Sequence, residues 1–498
     1  MLFSSWQFIV LFLPLTLGFY FWLNGKRLVT AGKAWLVASS LFFYAFWDPK
    51  YLPLILGSIL FNFAIGTGLA RAQRRAAEGA APSKQARRKT VLAVGIATNL
   101  LGLGYFKYTD FLLGNLNAAL GTGFTLPGIV LPLAISFFTF TQIVYLVDSY
   151  RGETAEYDLL NYSLFVTFFP HLIAGPIVHH RQIMPQFASR WTLRPRSANL
   201  LKGLFIFSIG LFKKVVIADS FAHWADAGFD GGQALGFYAA WVTSLSYSMQ
   251  LYFDFSGYCD MAVGASLLFN IWLPINFNSP YKALSIQDFW RRWHITLSHF
   301  LRDYLYIPLG GNRLGPYRTQ VNLPITFTLG GLWHGATWMF VIWGALHGLA
   351  LVVHRLWQGL QIRMPAALAW LLTFLFVNLA WVFFRAKTLD DALRVLRGMV
   401  DWRSAWGQGP ASLPTADLAW AGWLADPLLR VLPAPLVGQL PAVLALGLAL
   451  GLLAQRNSME WVARAVSVRQ LWAAGLLFVV AMHAMLAATS SVFLYFNF

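Results

Sequence analysis

Charge is what this chain has least of. Of its 498 residues, 11% are Asp, Glu, Lys or Arg, while 58% are hydrophobic. That excludes an ordinary soluble domain, in which about a quarter of the residues are charged. Cysteine is scarcer still. The one cysteine, Cys259, lies in an apolar stretch, so no intrachain disulfide can form, and its setting suits packing better than nucleophilic work. Several catalytic signatures are missing as well. There is no H-E-x-x-H, no cysteine pair, no G-x-S-x-G elbow and no Walker phosphate loop. His347 and His354 share a helical face but stand about 10.5 Å apart along the axis, too far to share a zinc ion whose bonds are near 2 Å. No metal site is expected. A cleavable leader is not expected either, because the first basic residue, Lys26, follows the first apolar run instead of preceding it.

What is present is apolar sequence in long runs. Many approach the ~20 residues a helix needs to cross a bilayer. They are continuous and not alternating, which argues against a barrel. The expected fold class is therefore an all-α polytopic membrane protein. The 22 Trp and 18 Tyr fall largely near the ends of these runs, where amphipathic rings favour the interface. A net charge of +17 reads as cytoplasmic loops facing anionic lipid and not as nucleic-acid binding. A basic inner face would also attract a phosphorylated donor. Spans are expected at 6–23, 34–47, 51–70, 91–105, 129–147, 201–217, 241–273, 370–384, 443–453 and 471–488. Lys26, Arg27 and Lys33 follow the first span and put the N-terminus in the periplasm. The basic stretch 71–90 reads as a flexible cytoplasmic connection, and 401–441, with six prolines, as an extramembrane loop.

Two apolar stretches carry unusual residues. FVTFFPHLIAGPIVHHRQIMPQF holds Pro170, Gly175 and Pro176, and predicts a broken or re-entrant segment whose freed backbone groups need protein or cavity water. His171 within it either lines a cavity or caps the break. YFDFSGYCDMAVG places Asp254 and Asp260 among apolar neighbours. Such carboxylates hold a cation, pair with Arg or cap helices.

The chain is organised around residues 285–354. A helix over 288–306 at ~100° per residue puts Phe289, Trp293, Leu297, Phe300 and Tyr304 on one face. Arg291, His294, Ser298 and Arg302 fall opposite. This pattern suits an interfacial anchor, or a wall on which Arg291 and Arg302 bind phosphate while His294 faces a cavity. His334 sits in a run, 321–353, that holds no formal charge. Gly330, Gly331 and Gly335 surround it and permit close backbone approach by a ligand, and Pro324 adds a break. Desolvation keeps such an imidazole neutral at cellular pH, able to take a proton from a hydroxyl. A structural histidine bonded to a nearby carbonyl fits the same pattern.

The motifs, in order, are FKYTDF, LPLAISFFTFTQIVYLVDSYRG, FFPHLIAGPI, LFKKVVIADS, LYFDFSGYCDMAVG, DFWRRWHITLSHFLRDYLYIPLGGNR and GGLWHGATWMFVIWGALHG. Together they resemble the membrane-bound O-acyltransferase (MBOAT) family, above all its bacterial alginate-acetylating branch. The likeness runs over nearly the whole chain and is least clear in 401–441. It implies a ring of tilted helices with re-entrant segments around a central tunnel, with a catalytic core at about 130–385. It implies that His334 is the family's catalytic histidine and His294 its second, that Arg302 and Asp303, with Arg291, support the site or its donor-binding mouth, and that Trp333 shapes the tunnel. The implied reaction is acyl transfer from acetyl-CoA on the cytoplasmic side, with His334 as general base. Acetyl would then pass to a periplasmic polysaccharide acetyltransferase of a secretion complex in the inner membrane. The end SVFLYFNF, within the aromatic tail 490–498, resembles that branch's C-terminal motif and implies Tyr495 as an acyl carrier, the alternative being an interfacial anchor. Alginate leads as the polymer, with acetylated cellulose or another glycan next. A non-catalytic transport or assembly component, whose histidines relay protons or line a pore, is the competing class. A lipid- or protein-acylating role is disfavoured by WRRWH preceding WHG.

Overall fold

Seven helices are long and apolar enough to cross a bilayer: Gln7–Gly25, Pro49–Arg74, Gln85–Leu120, Trp338–Gly359, Ala366–Arg385, Leu440–Val462 and Val468–Ala487. They come from a computed structural model that describes residues 1–46, 48–77, 82–407, 432–464 and 466–487. Among the described residues every regular element is a helix, with no strand. The chain divides into two units, one built from Met1–Leu211, Tyr258–Ile275 and the last described helix, the other from Phe212–Gly257 and Asn276–Ala463.

The first unit opens on a π-helical turn, Gln7–Phe12, that runs into α1 (Leu13–Gly25). α2 (Val29–Ala45), α3 (Leu52–Ala77) and α4 (Pro82–Leu120) follow. Both α3 and α4 outrun their apolar sequence. Arg, Gln, Ala and Lys are good helix formers and Pro suits a first helical position, so the helices continue through most of 71–90. That corrects the expected flexible connection; residues 78–81 lie outside the described ones. The 39 residues of α4 amount to about 58 Å, well beyond a ~30 Å hydrocarbon layer. α5 (Ile135–Arg151) begins later than the expected 129–147 span. Pro127, Gly128 at φ +63° and Pro132 keep 121–134 out of helix.

Polar side chains tie this unit together. Asn62 and Asn99 exchange amide hydrogen bonds of 3.1 and 2.7 Å, Gln142 donates to Ser58 Oγ at 2.8 Å, and Tyr162 donates to Gln142 at 3.2 Å. The expected broken segment is present as α6 (Leu159–Thr167), the four-residue α7 (Phe169–Leu172) and α8 (His180–Ala188), before α9 (Ser197–Phe212). The Phe169 N–H freed at the break donates to Ser40 Oγ at 3.1 Å, which is how broken backbone is kept inside an apolar protein. His171 is buried in α7.

The second unit starts with a π-helical turn, Lys213–Ala218, and α10 (Asp219–Asp230). α11 (Phe237–Leu268) follows, carrying Asp254 in this unit, while its end from Tyr258, with Asp260, belongs to the first unit. Buried Lys214 lies 2.9 Å from Asp254 and 2.7 Å from Asp219, so the partner of Asp254 is a lysine and not the expected arginine. Next come α12 (Ile286–Arg292), α13 (Ile295–Leu301), α14 (Gly315–His334), α15 (Trp338–Gly359), α16 (Ala366–Arg385) and α17 (Leu389–Val400). Arg394 of α17 closes the end of α10, donating to the carbonyls of Gly228, Phe229 and Gln233 at 2.7–2.9 Å. Of the proline-rich 401–441, residues 408–431 lie outside the described ones. The short α18 (Ala434–Val437) then leads to α19 (Leu440–Ala454), α20 (Ser458–Val462) and, in the first unit, α21 (Val468–Ala487).

α14 and α15 form a hairpin whose backbones touch through glycine. A Cβ on Gly331 would collide with the Phe340 carbonyl oxygen, one on Gly344 with the Phe327 carbonyl, and one on Gly348 would lie 2.5 Å from Pro324 Cα. The close approach that glycine permits here is that of the neighbouring helix, which corrects the expectation of a ligand in that role. Gly344→Ala is therefore expected to destabilise the protein by about 1–3 kcal/mol, through overpacking against a backbone that cannot swing aside. Thermal unfolding in detergent checks this. Gly359→Ala, where nothing lies within 4 Å, is the control and should leave the midpoint in place.

Candidate active site

His334 is the last residue of α14. Gly335 follows with no room for a Cβ, because the Phe340 ring folds over it. Four rings enclose the imidazole. Trp333 and the edge-on rings of Trp343 and Phe384 have centroids 4.9, 5.2 and 5.2 Å away, and Phe340 is stacked at 6.4 Å. His334 keeps 4% of its surface.

His294 is reached differently. The expected single helix over 288–306 does not form. α12 stops at Arg292, His294 takes a left-handed conformation at φ 41°, ψ 56°, α13 starts at Ile295, and Arg302–Tyr306 is π-helical. A non-glycine residue held left-handed costs roughly 1–3 kcal/mol and persists only when its surroundings impose it. Asn276 supplies part of that constraint. Its carbonyl accepts the Ile295 N–H at 3.0 Å, and its side-chain oxygen accepts the Thr296 N–H at 3.1 Å and the Thr296 hydroxyl at 2.7 Å. These bonds stand in for the helix cap that His294 does not provide.

The kink turns His294 inward, fully buried, its ring 4.9 Å from Phe255 and 6.3 Å from Trp333. The two candidate histidines thus share Trp333, whose ring lies within 6.3 Å of both. Arg291 and Arg302 are exposed, and so do not share a face with His294 as a continuous helix would have required. Arg302 is held by its neighbour Asp303 in a two-pronged pair at 2.6 and 2.9 Å, which raises the guanidinium's pKa further. His171 belongs to the other unit, and Tyr495 lies outside the described residues. Among the described residues no three His, Cys, Asp or Glu groups converge as metal ligands. Sequence reasoning missed Trp343, Phe340, Phe384, Phe255 and Asn276. The one available signal was the W-x-x-x-H spacing of Trp343 and His347, which puts both on one face of a helix.

Residues 126–389 match the description of the membrane-bound O-acyltransferase family. A peptidoglycan O-acetyltransferase of Helicobacter pylori is 47% identical over 100% of this chain and 98% of its own length. The chain belongs to the membrane-bound O-acyltransferase family. It is an enzyme of that type, and the buried histidines sit on an acyltransferase scaffold. The probable alginate O-acetylase AlgI of Pseudomonas aeruginosa is 43% identical over 80% of this chain and 75% of its own. A teichoic acid D-alanyltransferase of Bacillus subtilis is 28% identical over 51% and 69%.

Burial pushes the His294 imidazole, which lies outside the seven span-length helices, down to about 3 from an ordinary 6.5. Between those values the unfolded chain binds a proton that the folded chain does not. This group therefore costs stability as pH falls below about 6.5, and has no such effect above it. His294→Asn is expected to flatten the fall in unfolding midpoint between about pH 7.5 and pH 4. Midpoints of the two proteins at those pH values check this, and an identical slope overturns it.

Proposed function

We propose that this enzyme takes acetyl from a cytoplasmic thioester, acetyl-CoA, for the O-acetylation of a bacterial envelope glycan. In this reading His334 is the general base that receives the acceptor hydroxyl's proton, and His294 is the second imidazole against Trp333. The enzyme lies in the inner membrane with its N-terminus in the periplasm, and a periplasmic polysaccharide acetyltransferase completes the transfer. The observation that carries this reading is the placement of His334 and His294 against one shared buried tryptophan, among aromatic rings. An aromatic surround leaves little room for the water that would hydrolyse a thioester. Exposed Arg291 is available to an anionic donor outside these rings, and Arg302 could join it only by sharing or leaving its pair with Asp303.

For the glycan, peptidoglycan stands ahead of alginate. The relative named for peptidoglycan aligns with 100% of this chain, and the AlgI relative with 80%. Alginate keeps support from several relatives at 40–43% identity.

Purified protein is expected to release CoA from acetyl-CoA when given an acceptor, and His334→Ala to slow that release by ~10²–10⁴-fold with the melting midpoint retained. Release unchanged by the substitution would reassign His334 to structure. Ester-linked acetate on purified peptidoglycan and on exopolysaccharide, measured with and without the chain, decides the glycan. Loss from exopolysaccharide alone would overturn the peptidoglycan assignment.

A further inference from the structure

Two buried N–H groups of the ring cluster that includes His334 meet no acceptor among the described residues: Trp343 Nε1 and His347 Nε2. Trp343 is 1% exposed and His347 is 0%. They stand one turn apart on the same face of α15, with ring centroids 4.8 Å from each other. The Trp343 ring meets His334 edge-on at 5.2 Å.

The tautomer of His347 follows from its other nitrogen. Trp290 Nε1 lies 3.2 Å from His347 Nδ1. An indole N–H only donates, so His347 Nδ1 must accept, and the ring's hydrogen sits on Nε2. His347 Nε2 is therefore a donor, as Trp343 Nε1 is. Several polar groups of the same ring cluster are paired, although buried oxygens elsewhere in the unit, such as Tyr247 OH and Asn322 Oδ1, are not. Trp381 Nε1 donates to Tyr281 OH at 3.2 Å, Tyr281 OH to the Ser248 carbonyl at 2.8 Å, Asn378 Nδ2 to Ser248 Oγ at 2.8 Å, and Ser244 Oγ to Asn378 Oδ1 at 2.5 Å. Trp381 itself stacks on Trp343 at 5.6 Å. Within that cluster, the two donors left over on Trp343, which meets His334, and on His347, which packs on Trp343, point to an acceptor that arrives with substrate, since buried polar groups usually find partners.

We propose that Trp343 Nε1–H and His347 Nε2–H bind the acyl carbonyl oxygen during transfer, as an oxyanion-stabilising pair, with Trp290 as the positioning residue that holds His347 in the donating tautomer. The inference rests on the acyl-transfer reading above. The acceptor's oxygen bonds to the acyl carbon as its proton passes to His334, and the carbonyl π pair moves onto the oxygen, where the two N–H groups hold it. That pair returns, the C–S bond breaks, and the thiolate takes the proton from His334. An ester and a thiol result. Donors preplaced where charge develops are favoured in a water-excluded site because they need no reorganisation.

The test uses the full chain in detergent, with acetyl-CoA and a hydroxyl acceptor. Trp343→Phe keeps the ring and removes the donor. It is expected to lower kcat by ~10²-fold with KM within about threefold. His347→Leu should behave likewise, while His347→Gln, whose amide can donate, should recover about tenfold of the loss. Trp290→Phe should lower kcat severalfold with KM unchanged. Wild-type kcat in Trp343→Phe overturns the donor pair, as does a loss expressed wholly in KM. If His347→Leu fails to fold, Trp343→Phe decides alone, because its packing is conserved. His334-dependent turnover with an unaffected Trp343→Phe sinks only this inference. Turnover that is absent, or indifferent to His334→Ala, sinks the acyl-transfer reading and the donor pair with it.

Discussion

The contact on which the candidate site depends is backbone against backbone. α14 and α15 come together at Gly331, Gly344 and Gly348, where any side chain would strike a carbonyl or a Cα of the facing helix. Lipid offers little drive for apolar helices to associate, since its tails are as apolar as the side chains, so close van der Waals approach through small residues has to supply it. The approach fixes the level at which the two helices meet. His334, at the end of one, then faces Trp343 on the other, and Phe340 closes over Gly335. A looser hairpin would leave His334 beside water or lipid, where it would be an ordinary imidazole.

A second constraint acts at His294, which also packs against Trp333. His294 sits at a corner between two seven-residue helices, in a backbone conformation that side chains other than glycine disfavour. Asn276 and the burial of the ring hold it there. Local cost is thus accepted to point one imidazole inward, a pattern common where geometry serves chemistry. The arginines flanking the corner stay outside. Exposed arginines and buried imidazole are thus separated by a turn of backbone.

Much of the fold was legible in the chain. Continuous apolar runs gave helices, and Pro170 with Gly175 gave the break that appears as α6, α7 and α8. Errors came where local propensity and hydropathy disagreed. In 71–90 hydropathy ended but helix propensity did not, and the helices continued. In 129–134 hydropathy was high but two prolines and a glycine kept the backbone out of helix. The 288–306 stretch failed for another reason. Its 3.6-residue pattern is genuine, yet tertiary contacts from Asn276 interrupt it, and nothing within the stretch announces that.

By itself the sequence determined that this is a helical membrane protein, and named the two histidines, because burying an imidazole or 498 mostly uncharged residues leaves a compositional trace. Only the tertiary structure decided which rings surround His334, that His294 turns away from Arg291 and Arg302, and that Trp343 and His347 pack together in that ring cluster with N–H groups left over. Those facts depend on how far apart two helices sit and on which nitrogen accepts a bond from a residue 57 positions away. Distances between remote segments are set by packing, and no local pattern of residue types encodes them.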